Sequence, residues 1–317
     1  MQEVGPAPRR SILARTFVSS AEPRLRAGWR LLLQTLLMVA LLVACVLPIA
    51  AIAMFRDLNW LDAEAFWVGQ IAEFLALLVS IYVARRFLDR RSFSSLGIEL
   101  ARRTWQDLLG GIGISFAMMA GIFGLLAAMG WLTVEEFAWR TDSASNLLAG
   151  LLGWLVVFFL VGWNEELWFR GYLLQTIASG TRLSWGILIS SLVFGAAHLG
   201  NPNSDAAISV MLGIFLAGLL MAYGYARTKS LWLPIGLHIG WNHFEGVIFG
   251  FPVSGLSTYR LLHVEVHGPI VWTGGPFGPE AGLILLPAVV LGFLLIYLYP
   301  RGRAGAHVGQ EHLVGDR

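Results

Sequence analysis

The chain reads as an all-α, polytopic membrane protein with about eight transmembrane helices. Three observations carry that reading. Of 317 residues, 56% are hydrophobic and only 13% are charged, roughly half the charged share of a soluble domain. The mean hydropathy is +0.68. Thirteen Trp and nineteen Phe suit wide lipid-facing surfaces and interfacial belts. Cys45 is the single cysteine, so an intrachain disulfide and a cysteine-based metal site are both excluded. The expected surroundings are a lipid bilayer, with no nucleic-acid partner.

Residues 1–30 hold six Arg and scattered Pro and Ser and read as a cytoplasmic leader. The membrane domain is expected over 31–299 and a polar cytoplasmic tail over 300–317. The first span, 31–54, is long enough to cross as a helix, with Pro48 as a possible kink. Leu42-Val43-Ala44-Cys45 resembles a lipoprotein cleavage box, but the apolar run continues to Phe55 and an uncleaved span fits better. A short acidic connection, 56–65, leads to a second span at 66–84. The linker 85–103 carries six Arg; Ile98, Leu100 and Trp105 beside it suggest a helix lying on the membrane surface.

The third span, 108–132, is rich in glycine, which lets helix backbones approach closely in lipid. After a polar stretch at 133–145, a fourth span begins at 146, and its helical pattern runs on to about Ala178. The fifth and sixth spans are expected at 183–199 and 206–226, separated by the breaker Gly200-Asn201-Pro202-Asn203. The seventh, 231–251, follows a tight basic turn. A long polar loop, 252–279, precedes the eighth at 280–299. With the N-terminus inside, 19 of the 22 Lys and Arg fall on cytoplasmic segments, leaving Arg56, Arg140 and Arg260 outside. That asymmetry places both termini in the cytoplasm.

Inside this apolar chain stands Trp163-Asn164-Glu165-Glu166-Leu167-Trp168-Phe169-Arg170-Gly171. Charges within a bilayer are costly and call for a partner, a cavity or a chemical role. Glu166 and Arg170 are i,i+4 and share a helix face, so they can pair. Glu165 lies about 100° round the helix and is free to point elsewhere. His198 follows Phe194 near the end of the fifth span. His238 and Asn242 are i,i+4 on the seventh, with Gly236 and Gly240 near the opposite face for close packing. Glu245 falls on the same polar front and is a secondary candidate. At 1.5 Å per residue, Glu165 and His198 both lie roughly 22–27 Å from the turn at 180, whereas His238 is only about 10–12 Å from its own turn. The three meet only if the 164–198 hairpin protrudes beyond the membrane by roughly 10–15 Å.

Glu-Glu-x-x-x-Arg, Phe-x-x-x-His and His-x-x-x-Asn, in this order on successive late spans, resemble the motifs of the CPBP intramembrane proteases. That family includes the Rce-type CAAX prenyl proteases and the bacterial Abi proteins. The likeness covers about 108–251. It implies eight spans, a conical active-site cavity between the late helices, proteolysis within the membrane, and a bacterial cytoplasmic-membrane location. The resemblance does not imply the substrate; the expected partner is a membrane-embedded or lipid-modified protein or peptide.

The residues support such chemistry on their own terms. Peptide hydrolysis needs a base for water and donors for an oxyanion. Glu165 suits the base, His198 the holding of water or shuttling of its proton, and His238 with Asn242 the oxyanion, with Glu166, Arg170 and Phe194 in support. A metal version would use Glu165, His198 and His238 as Zn ligands with water in the fourth place. His263-Val264-Glu265-Val266-His267 is a further metal candidate if extended. No His-Glu-x-x-His or rhomboid-type Gly-x-Ser-Gly occurs. Two other readings are a non-catalytic membrane scaffold or bacteriocin-immunity protein, and an ion-coupled transporter. The first would be favoured by a lost motif residue, the second by inverted repeats; the chain shows neither.

Overall fold

The computed structural model describes residues 16–19, 24–55 and 63–299. The 300–317 tail, much of the leader and most of the 56–65 connection lie outside the described residues. Helix α1 is Ala27–Phe55 and runs unbroken through Cys45 and Pro48. Helix α2, Ala63–Val83, ends in a π turn at Ala84–Leu88, and α3 is Arg102–Ala128. Helix α4, Ala144–Glu166, passes through a π segment, Leu167–Leu173, into α5, Leu174–Gly180. Then come α6, Leu183–Ala197, α7, Ala207–Thr228, and α8, Trp232–Asn242, the last with a π continuation at His243–Ile248. Helix α9 is Leu285–Leu298.

Among the described residues, six helices are long and apolar enough to cross a membrane, and the chain is an integral membrane protein. The expected seventh and eighth spans are shorter than anticipated: α8 with its π continuation stops at Ile248, and α9 has 14 residues. The fourth span runs on as expected, to within two residues at each end. Ala144–Gly180 forms one 37-residue run, about 55 Å at 1.5 Å per residue, against a hydrocarbon core of about 30 Å. A run of that length exceeds the core, which is the room that the depths of Glu165, His198 and His238 demand.

Two expectations from sequence are corrected. No surface helix forms over 93–101. Leu96 is fully buried, so the segment turns inward through one 3₁₀ turn, Ser94–Leu96. Gly97 then adopts φ +96° against the backbone of Lys229–Leu231, and its carbonyl accepts from the Leu231 N–H at 2.8 Å. The 133–145 and 252–279 stretches are not simple loops. They contribute β1, Leu132–Phe137, and β2, Leu262–Val266, which pair antiparallel with Thr133 opposite Glu265 and an irregularity between Val134 and Glu136. Alternation along β2 turns Val264 and Val266 toward the core and leaves His263, Glu265 and His267 exposed. Residues 252–284 form a folded cap on that end of the bundle.

Helix α8 is the centre of the packing. All eleven of its residues are buried. One face presents Leu233, Leu237 and Trp241 to Met118, Met119 and Ile122 of α3 and to Val289 and Ile296 of α9. The closest seam is glycine-lined. A Cβ on Gly236 would collide with the Leu108 backbone, and one on Gly111 with the Leu233 carbonyl and Leu237 N–H. The Ser115 hydroxyl crosses the seam to the Leu237 carbonyl at 2.5 Å. With its back held against α3, α8 turns its polar front toward α4.

Candidate active site

The polar front of α8 meets the charged end of α4. Gly162 lets the two helices close up: a Cβ there would stand 3.0 Å from the Ile239 side chain and 3.4 Å from the His238 Cβ. One turn further along α4, Glu165 and Glu166 both reach His238. The imidazole Nδ1 lies 3.0 Å from Glu166 Oε1, and Nε2 lies 3.7 Å from Glu165 Oε2. Because a carboxylate can only accept, Nδ1 carries the proton in the first contact. Sequence reasoning left Glu165 free to point away from its neighbour; the structure turns both carboxylates to one ring.

Glu166 is fully buried and also accepts from Arg170 NH1 at 2.6 Å. Arg170, equally buried, donates through NH2 to the Gly218 carbonyl at 3.2 Å and lies 4.3 Å above the Phe194 ring. This i,i+4 pair stands at the junction where α4 gives way to the π segment. Such single-turn π insertions recur at functional sites. A buried pair of this kind is strongly destabilising to break but not a large net source of stability; its evident effect is to hold Glu166 Oε1 toward His238.

Phe194 links the remaining motif residue. Its ring centroid is 4.9 Å from Phe169, 4.7 Å from His198 and 6.1 Å from His238. His198 is half-buried, and its Nδ1 lies 2.9 Å from the Phe194 carbonyl. A carbonyl only accepts, so Nδ1 is the protonated nitrogen and Nε2 is left with a free lone pair. Asn242 is buried one turn beyond His238 on the same face. Glu165 keeps 24% side-chain exposure, yet its Oε2 is enclosed and without a hydrogen-bond partner.

Glu245 sits elsewhere. The π continuation of α8 carries it toward Glu280 and Gly278 of the cap, and no contact joins it to Glu165 or His198. Glu280, expected at the start of the eighth span, is a buried member of the cap. A residue that sequence reasoning passed over stands closer: Glu73 of α2 is half-buried and near enough to Glu165 for their charges to interact. Its helix is tied to α4 by the Asn164 amide, which donates to the Gln70 carbonyl at 3.3 Å. The signal was available, since an acidic residue in mid-span is a functional hint by itself.

Among the described residues, no three His, Cys, Asp or Glu side chains converge as a metal-binding group. This covers the trio Glu165, His198 and His238 as they stand. It also covers the β2 set, where Glu265 lies 3.8 Å from His267 and His267 contacts the Thr133 hydroxyl at 3.0 Å.

Residues 146–244, which contain every one of these motif residues except Glu245, match the family model described as type II CAAX prenyl endopeptidase Rce1-like. An Escherichia coli protein named "Uncharacterized 24.3 kDa protein" is 32% identical over 143 residues, 44% of this chain and 62% of the relative. The Bacillus subtilis (strain 168) "Putative membrane peptidase YdiL" is 27% identical over 219 residues, 66% of this chain and 82% of the relative. A "Heme A synthase" of Rhizorhabdus wittichii is 25% identical over 280 residues, 75% of this chain and 72% of the relative. The chain thus spans about 62% of the length of the first of these relatives.

Proposed function

We propose that this chain, similar over residues 146–244 to the Rce1-like CAAX-protease-type membrane peptidases, is a member of that family and an intramembrane endopeptidase that hydrolyses a peptide bond of a membrane-associated substrate. One observation carries the reading. A single imidazole, His238, lies 3.0 Å from one carboxylate and 3.7 Å from a second whose inner oxygen has no partner. A structural ion pair accounts for Glu166 and Arg170, but it leaves Glu165 without an explanation. The family match falls on this constellation, whereas the likeness to heme A synthase is a lower identity spread over most of the chain.

In the proposed reaction, a water donates one hydrogen bond to Glu165 and one to His198 Nε2. Glu165 takes a proton as the water oxygen attacks the scissile carbonyl carbon. The carbonyl π electrons move to its oxygen, and the resulting oxyanion accepts from the Asn242 amide and from Nε2–H of His238 as an imidazolium, whose Nδ1–H stays on Glu166. Glu165 then returns the proton to the leaving nitrogen as the C–N bond breaks. Glu166 fixes the ring orientation of His238 through Nδ1, and Arg170 fixes Glu166. A Zn ion, if one is acquired on Glu165, His198 and His238, would supply Lewis acidity to the same water.

The test is cleavage of membrane-anchored and prenylated reporter peptides by the purified chain and by Glu165→Gln. The amide keeps the shape of the side chain but cannot act as base. Unchanged melting with loss of cleavage is the expected result. Full cleavage by Glu165→Gln would remove the assignment and restore the scaffold reading.

A further inference from the structure

The cap carries a hydrogen-bonded relay that joins the two halves of the site. Its node is the buried Glu280. Glu280 Oε1 accepts at 3.0 Å from the indole N–H of Trp241, the neighbour of Asn242 on α8. Oε2 accepts from the Ser254 main-chain N–H at 2.8 Å and from the Ser254 hydroxyl at 2.6 Å. The Ser254 carbonyl in turn accepts from the Asn201 side-chain amide at 3.1 Å, and the Asn201 main-chain N–H donates to the His198 carbonyl at 3.1 Å. Every link from α8 to His198 is a hydrogen bond of ordinary length.

The parts of this relay are held with little slack. Ser254 and Gly255 are the central residues of a tight turn whose flanks, Val253 and Leu256, exchange N–H···O bonds at 2.9 and 2.8 Å. Both stand at positive φ, +47° and +84°, a primed turn geometry that a residue other than glycine adopts at a cost. Glu280 offsets that cost by taking both Ser254 donors. On the other side of the turn, the Gly255 N–H donates to the Phe277 carbonyl at 2.8 Å, and the Asn203 amide donates to the Gly255 carbonyl at 2.9 Å. The main chain of Glu280 is pressed against α7, where a Cβ on Gly213 would collide with the Glu280 carbonyl.

The two ends of the relay bear the reacting side chains. His198 caps α6 and opens the 3₁₀ turn His198–Gly200. Its ring is oriented from the helix side by the Phe194 carbonyl; the relay holds the chain on the other side. In the proposed hydrolysis, His198 and Glu165 receive the water while His238 and Asn242 receive the oxyanion, so the His198 turn must be set at a fixed angle to α8.

We propose that Glu280 is a positioning residue for this reaction: through Ser254 and Asn201 it sets the His198 turn against the His238–Asn242 face of α8. The proposal rests on the hydrolytic reading. Glu280→Gln is not a silent change here. A carboxylate accepts on both oxygens, whereas an amide turns its NH₂ toward either the Trp241 indole or Ser254, donor against donor, and one end of the relay is lost.

The experiment uses the full chain in non-ionic detergent. Cleavage of the membrane-anchored reporter is measured beside nitrogen-15 NMR spectra of histidine-labelled protein, with the His198 signals identified by their loss in His198→Gln. Glu280→Gln and Asn201→Ala should each lower kcat about tenfold with KM held within about twofold, the scale of a small misplacement of a reacting group, and each should shift the His198 signals. The double variant should lose no more than the worse single, because both changes cut one relay. Val289→Ala, a core truncation in α9, should lower the melting temperature yet keep kcat and the His198 signals. If Glu280→Gln does not fold, Asn201→Ala decides alone. Wild-type kcat in the folded variants, unmoved His198 signals, or losses that multiply in the double variant overturn the proposal. A wild type that cleaves no reporter removes the hydrolytic reading and the positioning role with it; a cleaving wild type whose variants leave His198 unmoved removes the positioning role alone.

Discussion

Replacing Glu166 by Gln separates the two adjacent carboxylates most sharply. Glu166 and Arg170 are both fully excluded from solvent, and Glu166 Oε1 receives the guanidinium at 2.6 Å and His238 Nδ1 at 3.0 Å. Removing the negative charge leaves Arg170 in contact with the Gly218 carbonyl and the Phe194 face, neither of which is ionised, and with Glu165 as a more distant charge. Breaking one partner of a buried pair typically costs about 3–5 kcal/mol. At roughly 2–4 °C per kcal/mol for a domain of this order, Glu166→Gln should melt on the order of 10 °C below wild type. Glu165→Gln should melt within a few degrees of wild type, because Glu165 keeps 24% exposure and contacts no arginine. Removing both members in Glu166→Gln/Arg170→Met should recover part of the loss, since an apolar replacement of a buried pair is often tolerated. The assay is detergent melting of all four proteins by tryptophan fluorescence, with cleavage measured on the same samples. Equal midpoints for Glu165→Gln and Glu166→Gln would refute the division of labour. A double variant less stable than Glu166→Gln would refute the charge argument.

Further outcomes follow from other parts of the molecule. In a Cys45→Ala background, a cysteine at exposed Ser94 should resist an impermeant thiol reagent on intact cells and one at exposed Glu265 should react; labelling at Ser94 reverses the proposed orientation. Gly236→Ala should lower expression and melting temperature, because its methyl would meet the Leu108 backbone, whereas Gly113→Ala, with open space around it, should leave both unchanged. Cleavage by the wild type should be indifferent to a Zn chelator; inhibition reversed by added Zn²⁺ would move Glu165, His198 and His238 from acid–base roles to ligation.

What the sequence made legible was everything with a helical period. His238 and Asn242 share a face, Glu166 reaches Arg170, and Gly236 and Gly240 mark the back of α8, because an i,i+4 spacing fixes those relations locally. The fourth helix's continuation to about 178 was visible for the same reason. The losses came where the period fails. A π turn adds one residue per turn and rotates everything after it, so Glu245, counted on an ideal helix, was assigned to the polar front and lies under the cap instead. Pairing of β1 with β2 joins stretches more than a hundred residues apart, one with an irregular register, and no local pattern specifies such partners. Ile98, Leu100 and Trp105 suggested a helix on the membrane surface, yet the burial of nearby Leu96 was decided by the distant Lys229–Leu231 turn. Glu73 was a different kind of miss: its mid-span charge was in plain view without a motif around it.

The glycine-lined seam has a consequence for motion. A helix whose backbone rests directly on a neighbour at its glycines, with close-packed side chains on either side, has little freedom to slide or roll. With all eleven residues of α8 buried, its amides should exchange with solvent only when the whole bundle opens, at the slow limit of the molecule. His238 and Asn242 therefore stand on the stationary part. Any breathing that admits a peptide backbone on the microsecond-to-millisecond scale falls to the helices facing it, among them α4, whose Gly162 packs against Ile239. In hydrogen-exchange maps recorded with and without a bound peptide, α8 would serve as the fixed reference against which the movement of Glu165 is read.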